Sequence, residues 1–238
     1  MRLLAVESST LTGAVALLEG DTVVAESRLN IAVTHSERLL TAVDRLLTGV
    51  CWRLQDVDGL AVAVGPGSFT GLRIGVSTMK SLAFATGKPL VGVPTLDALA
   101  WTLPFATHPV CPILDAKKGE VYTGLYRTDA GRLERLWSYR ALAPGTLADE
   151  LRRGGLGPVI FVGDAVAPFR QLLGDALGAG ARFAPPAHRL PSAATVGDLA
   201  RHALERGEAA DPAVLVPLYV RRSEAELGQE RHGVGSVR

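Results

Sequence analysis

The chemistry this chain could carry is concentrated in one glycine-rich run, Gly65-Pro66-Gly67-Ser68-Phe69-Thr70-Gly71, and in a few acids, serines and histidines. A glycine turn between a strand and a helix is where phosphates are cradled, because backbone N–H groups converge there on a helix N-terminus. The spacing fits neither standard phosphate loop. A Walker loop needs Gly, four residues, then Gly-Lys-Ser/Thr; Gly65 and Gly71 stand too far apart, and Leu72-Arg73 follows. The dinucleotide fingerprint needs glycine where Thr70 stands, and Gly71 comes one residue late. Two histidines four apart on a helix would hold zinc or iron, but Ile31 and Leu39 occupy those places around His35. His108, His188, His202 and His232 are scattered singly. Ser68 lacks the G-x-S-x-G surroundings of an activated nucleophile, since Phe69-Thr70 follows it. What remains is a tight turn that Ser68 or Thr70 finishes by capping a helix.

The elements around this run must position it. Residues 60–64 are small or branched and apolar, and read as a buried strand. The helix after the glycine turn continues to Gly87, where glycine and Pro89 stop it. From Gly71 to Thr86 its only charges are Arg73 and Lys80. Leu72, Val76, Met79 and Ala83 line one face; Ile74, Leu82 and Ala85 line another. A helix apolar nearly all round is buried nearly all round, so one face covers the sheet and the other needs a second cover. Gly71 and Gly75, one turn apart, let a second helix come close.

Upstream, strands are expected at 2–6, 14–18 and 22–29, with a polar turn at 7–10 and a hairpin turn at Glu19-Gly20-Asp21. Thr34-His35-Ser36-Glu37 has the form of a capping box, and Leu39, Leu40, Val43, Leu46, Leu47 and Val50 recur behind it at helical spacing. After the glycine run come a strand at 90–93 and a helix that Thr95 caps, ending at Leu103. The second half opens with a strand at 110–115 and a turn at 116–120. Strands at 121–127 and 133–140 follow, then a short helix from Thr146, a strand at 159–162 and helices at 166–173 and 194–206. Residues 211–217 read as an extended connector and the last dozen residues as frayed.

Each half therefore runs β-β-β-α-β-α, its first strand ending in an acid, Glu7 or Asp115. That is the order of a ribonuclease-H-like lobe. Two such lobes make the α/β architecture shared by actin, sugar kinases and Hsp70 (ASKHA), here an N-terminal lobe over 1–104 and a C-terminal lobe over 105–238. Catalytic members of that architecture use the two acids to help hold Mg²⁺ and glycine-rich turns to cradle phosphates. Here the second turn reads Asp115-Ala116-Lys117-Lys118-Gly119, with bulky side chains where a phosphate needs close backbone approach. The plainer reading is that Glu7 and Asp115 cap local turns.

The bulk properties agree with a globular chain of balanced charge. Of 238 residues 47% are hydrophobic, enough for one large domain or two small ones, and the net charge of +1 leaves no electrostatic footprint for nucleic acid. Cys51 and Cys111 are too few for a disulfide framework and lack zinc spacing, which favours a reducing compartment. The apolar run at the N-terminus is too short for a signal peptide or a membrane span, so a cytoplasmic location with no membrane association is expected.

Taken together, LLAVESSTLTGAVALL, THSERLL, VAVGPGSFTGLRIGVSTMKSLA, VGVPTLDALA and VPLYVRRSEAE resemble the TsaB (YeaZ) family over nearly the whole chain. The resemblance implies a non-catalytic subunit that binds and supports TsaD, the enzyme forming N6-threonylcarbamoyladenosine at position 37 of tRNA. It implies a TsaE-like ATPase in the same pathway, a homodimer when the protein is alone, and tRNA met only through the complex. TsaB lacks the metal-binding histidine pair of TsaD, in keeping with the single His35. Glu7 stands where the family more often has Asp, which weighs further against a nucleotide. No catalytic residue, cofactor or metal is expected, and nothing in the sequence supports a nucleotide at the subunit boundary. The alternative is a catalytic ASKHA enzyme, either an ATP-dependent small-molecule kinase or a glycopeptidase-like metalloenzyme. The missing phosphate glycines and the missing second histidine count against both.

The resemblance also implies that the partner meets the first two helices of the N-terminal lobe. With Leu40, Val43 and Leu47 assigned to the core, the first helix offers His35, Arg38, Leu39, Ala42, Arg45 and Leu46. The second offers Gly71, Leu72, Arg73, Gly75, Val76, Met79 and Lys80.

Overall fold

Runs of small and β-branched residues without a polar break build strands buried on both faces, and this chain has one such run at the centre of each half. In a computed structural model, which describes residues 1–30, 36–129 and 132–220 (the backbone alone at 29–30 and 36–38), these become the cores of two five-stranded sheets. The first half comprises β1 (Arg2–Glu7), β2 (Thr12–Glu19), β3 (Thr22–Asn30), α1 (Ser36–Gly49), β4 (Gly59–Gly65), α2 (Phe69–Thr86), β5 (Leu90–Pro94) and α3 (Thr95–Trp101). The second comprises β6 (Val110–Asp115), β7 (Val121–Asp129), β8 (Arg132–Leu142), α4 (Pro144–Gly154), β9 (Val159–Val162), α5 (Val166–Leu177), β10 (Ala181–Phe183) and α6 (Ala193–Glu205).

The sheet orders are β3-β2-β1-β4-β5 and β8-β7-β6-β9-β10, the same topology twice. In each, the first strand pairs antiparallel with the hairpin strand and parallel with the fourth. The repeated β-β-β-α-β-α order is thus a duplicated ribonuclease-H-like lobe, in the ASKHA arrangement. The three-residue β10 has no counterpart in the sequence reading; Ala181-Arg182-Phe183 is too short to show a period.

Each sheet is covered on one face by its own two helices. Leu39, Val43, Val76 and Met79 of α1 and α2 pack on Leu4, Val6, Leu60 and Val62. Leu147, Leu151, Val166 and Leu173 of α4 and α5 pack on Cys111, Ile113 and Phe161. The other faces are covered by exchange. Ala193, Val196 and Ala200 of α6 lie on Leu3, Ala5 and Ala61 of the first sheet, while Leu96, Leu99 and Ala100 of α3 lie with Val110, Leu114 and Tyr126 of the second. A division of the chain at residue 104 separates the two sheets but not their covers.

Polar anchors fix this shared layer. Asp97 of α3 accepts hydrogen bonds from Tyr126 (2.7 Å) and Tyr139 (2.8 Å) of the second sheet. Trp101 donates its indole N–H to Asp198 of α6 at 2.8 Å. The cap of α3 is Pro94 rather than Thr95, whose hydroxyl is buried. The helix expected from Thr146 begins two residues earlier, because Pro144 suits a first helical turn. Thr34 and His35 of the expected capping box lie outside the described residues.

Leu99, fully buried in the layer between the sheets, gives a direct test. Leu99→Ala should cost about 2–5 kcal/mol, read as a lowered denaturant midpoint. Because α3 covers the second sheet, unfolding should remain a single transition; loss of the second half alone would show that the halves are independent.

Candidate functional site

The glycines of the run after β4 serve packing. A Cβ at Gly67 or Gly71 would overlap the backbone of Ser9 or Ser8, and one at Gly75 the Ser8 hydroxyl. The β1–β2 turn therefore sits in a groove along the start of α2. The Ser68 N–H donates to the Ser9 carbonyl at 2.6 Å, and the Ser68 hydroxyl caps α2 by accepting from the Gly71 N–H at 3.3 Å. Gly71 and Gly75 thus admit the chain's own turn, not a second helix.

This packing buries Glu7 completely. Its Oε1 accepts from the Ser9 N–H. Its Oε2 and the Ser8 and Ser9 hydroxyls find no hydrogen-bond partner among the described residues. Burial raises the Glu7 carboxyl to about 7, with a further push from the charge of Asp164. Across a cleft of about 650 Å³ between the lobes, Asp115 closes its own turn. Its Oδ1 accepts from the Lys117 N–H and its Oδ2 from the Lys117 ammonium, each at 2.7 Å. Burial alone would raise the Asp115 carboxyl, but these bonds and the Lys117 charge hold it below the usual range. Asp164, which follows Gly163 at the end of β9, accepts from the Asp115 N–H at 3.0 Å, and burial raises its carboxyl. The sequence reading passed over Asp164. Its signal is the internal repeat, since Gly163 and Gly65 end equivalent strands with positive φ.

The magnesium–nucleotide site of catalytic ASKHA members does not fit these residues. Both oxygens of Asp115 are engaged by Lys117, whose ammonium stands on the carboxylate as a cation would. The phosphate turn carries Lys117 and Lys118 in left-handed conformations with full side chains. Glu7 and Asp115 do close their local turns.

The helical candidates fall into three groups. On α1, Leu39 and Ala42 are buried with Val43 and Leu47, while Leu40 is 46% exposed. This corrects the assignment of Leu40 to the core and of Leu39 and Ala42 to the outside. At 100° per residue, Leu39, Ala42, Val43, Leu46 and Val50 form one stripe and Leu40 lies at its edge. Arg45 is exposed and Leu46 half-buried against the core. Arg38 lies in the first turn of α1, and His35 outside the described residues. On α2, Leu72, Val76 and Met79 face the sheet and belong to the core, a second correction. Ile74 and Leu82 are half-buried and pack against the edge of that core, whereas Phe84 is 63% exposed.

The two α2 cations have a different task. Lys80 donates to the carbonyls of Ala213 (3.2 Å) and Leu215 (2.9 Å), and Arg73 to the Tyr219 hydroxyl (3.2 Å). The segment expected to be a connector is a strap on the first lobe. Leu215 and Leu218 pack on its core, and the Leu218 N–H donates to the Val64 carbonyl at 2.7 Å. Tyr219 meets Phe69 at 5.3 Å between ring centroids, and the Arg73 guanidinium sits 3.9 Å over the Phe69 ring, on the wall of the cleft. The strap is the second cover that the apolar helix required.

Among the described residues no three His, Cys, Asp or Glu side chains are grouped to hold a metal, and no helix is long and apolar enough to cross a membrane. Residues 25–229 match the family model described as TsaD, tRNA N6-adenosine threonylcarbamoyltransferase. The chain is 36% identical over 228 residues to the tRNA threonylcarbamoyladenosine biosynthesis protein TsaB of Bacillus subtilis, covering 95% of this chain and 96% of that one. A Pseudomonas aeruginosa protein with similarity to peptidase YeaZ superposes with a TM-score of 0.77 at 29% identity, over 92% of this chain and 99% of the other. The ROK hexokinase of Thermus thermophilus shares the fold, with a TM-score of 0.51 at 13% identity over 82% of this chain and 98% of that one.

The Glu7 environment yields a signed prediction. Its carboxyl titrates near 4.5 when unfolded and near 7 when folded. Between those values the folded state holds a proton that the unfolded state lacks, so the Glu7 contribution to stability falls as pH rises through the window and levels off above it. Glu7→Gln should therefore gain on the wild type from pH 5 to pH 8, by on the order of 3 kcal/mol. Denaturant midpoints at the two pH values measure this, and a gap that does not change with pH contradicts it.

Proposed function

The chain belongs to the TsaB family, within the wider family described by TsaD, and from that premise we propose that it is a non-catalytic partner subunit in forming N6-threonylcarbamoyladenosine on tRNA. It binds and supports a TsaD-like catalytic subunit, which performs the transfer at position 37. A TsaE-like ATPase is a partner in the same pathway, tRNA is met only through the complex, and the protein pairs with itself when the catalytic subunit is absent. The work is cytoplasmic, which suits the free cysteines: Cys111 is buried and its thiol pushed up to about 12 by burial, well outside the reactive range.

The observation that carries the non-catalytic part is the Lys117–Asp115 pair, an internal cation spent on the acid that would otherwise help bind metal. The purified protein should hydrolyse no ATP above background in the presence of Mg²⁺. Turnover abolished by Asp115→Ala would overturn this.

The partner-facing surface is the outer side of the α1–α2 layer. Leu40 and Phe84 are its large exposed apolar side chains, and neither is among the core residues of its helix. Leu40→Glu and Phe84→Glu should each keep the melting profile and weaken binding to the TsaD-like subunit tenfold or more, about 1.4 kcal/mol. Val76→Arg, by contrast, places a charge in the core at a residue 3% exposed, and should destabilise the fold itself. Titration calorimetry beside thermal melts separates the two effects. Wild-type affinity in both exposed variants would move the interface elsewhere.

A further inference from the structure

Resting on that partner reading, we infer that the C-terminal strap, residues 211–219, forms one edge of the surface that receives the TsaD-like subunit. The strap is a fixed part of the first lobe. Lys80 holds the carbonyls of Ala213 and Leu215, Arg73 holds the Tyr219 hydroxyl, and the Leu218 N–H is tied to the end of β4. Two glycines make room for it. A Cβ at Gly92 would strike the Leu215 side chain, and one at Gly65 the Leu218 carbonyl. Contacts at Lys80 and then Arg73 make the strap run antiparallel to α2.

What this rigid segment presents outward is apolar. With Leu215 turned into the core, Val214 and Val216 on either side are 70% and 66% exposed. The patch continues onto α2. Phe84 lies one turn beyond Lys80 and only about 40° from it around the helix axis, so it borders the end of the strap that carries Val214. Apolar side chains held out on a pinned backbone lose little entropy when a partner covers them, which is what an interface anchor needs.

The chemistry of the segment selects the kind of contact. Pro212 and Pro217 lack N–H groups, and the Leu218 N–H and the Ala213 and Leu215 carbonyls are already used, so the strap is poorly suited to pairing with an added strand. It offers side chains, and the complement is an apolar helical surface. The TsaD family model matches residues 25–229, which include α1, α2 and the strap, so a partner of that family carries corresponding elements. Two related surfaces meeting face to face would each bring an apolar rim beside their helices, as in the self-complementary contact of a two-fold dimer.

The test is titration of the TsaD-like subunit with full-length wild type, the double variant Val214→Ser/Val216→Ser, the strap-release variant Arg73→Ala/Lys80→Ala, and Leu40→Glu. The serine variant alters only exposed side chains and should keep its melting temperature while losing about tenfold in affinity. The release variant should lose affinity as well, with faster proteolysis after residue 210. Wild-type affinity in the serine variant, with Leu40→Glu weakened, would overturn the strap's role and leave the partner reading standing. No binding by the wild type would overturn both.

Discussion

The β1–β2 turn seated in the glycine groove of α2 is the contact on which the rest of the structure depends. Gly67, Gly71 and Gly75 recur every four residues, which on a helix and its lead-in turn makes one continuous channel without side chains. Ser8 and Ser9 fill it. Any Cβ in the channel would displace the turn, and with it the end of β1, the central strand of the first sheet. The glycine run that resembles a phosphate loop in composition is thus committed to backbone–backbone packing. The same closeness strips water from Glu7, leaves the Ser8 and Ser9 hydroxyls without hydrogen-bond partners among the described residues, and makes the carboxyl hard to ionise. Such a cost is tolerable only where the surrounding packing over-determines the conformation.

The cleft between the lobes tells a parallel story about charge. Three acids end or follow the central strands, Glu7, Asp115 and Asp164, an arrangement that in a catalytic ASKHA protein calls for a divalent cation. Here burial keeps one acid protonated up to about pH 7, one is raised by burial and shared with the Asp115 N–H, and the third is bound by Lys117. The charge balance of the cleft is thus met from within the chain.

Much of this was legible in the sequence because the informative signals were local. The buried runs at 60–64 and 159–162, the turn residues between strands and the Ser68 cap each depend on neighbours in the chain, and the duplicated order of elements followed from them. The faces of the helices were less legible. Leu39 and Leu40 are adjacent apolar residues 100° apart, and only the sheet decides which of them is buried. The apolar faces of α2 posed the same ambiguity, with Leu72, Val76 and Met79 turned to the sheet. The strap and the exchange of α3 and α6 were beyond local reading altogether. The strap and α6 join residues more than 90 positions apart, through hydrogen bonds such as Lys80 to Leu215 and Trp101 to Asp198, and α3 crosses to the second sheet, where Asp97 meets Tyr126; no periodicity announces any of these.

The strap resolves the question of how a helix apolar nearly all round is covered within one chain. Around the axis of α2, Leu72, Val76, Met79 and Ala83 take the sheet side, and Gly71 and Gly75 take the β1–β2 turn. Phe69, Arg73 and Lys80 take the strap. What is left uncovered is a ridge of small residues, Ser77, Ser81 and Ala85, bordered by Phe84. Small side chains let a second helix approach closely, and the large apolar groups stand at the margins of the layer, on α1 and on the strap. A surface of that shape has little to hold a small ligand and little to steer a charged nucleic acid. On the proposed reading its shape is suited to one use, the close docking of another helical layer, and the two cations of α2 serve that use indirectly by fixing the margin in place.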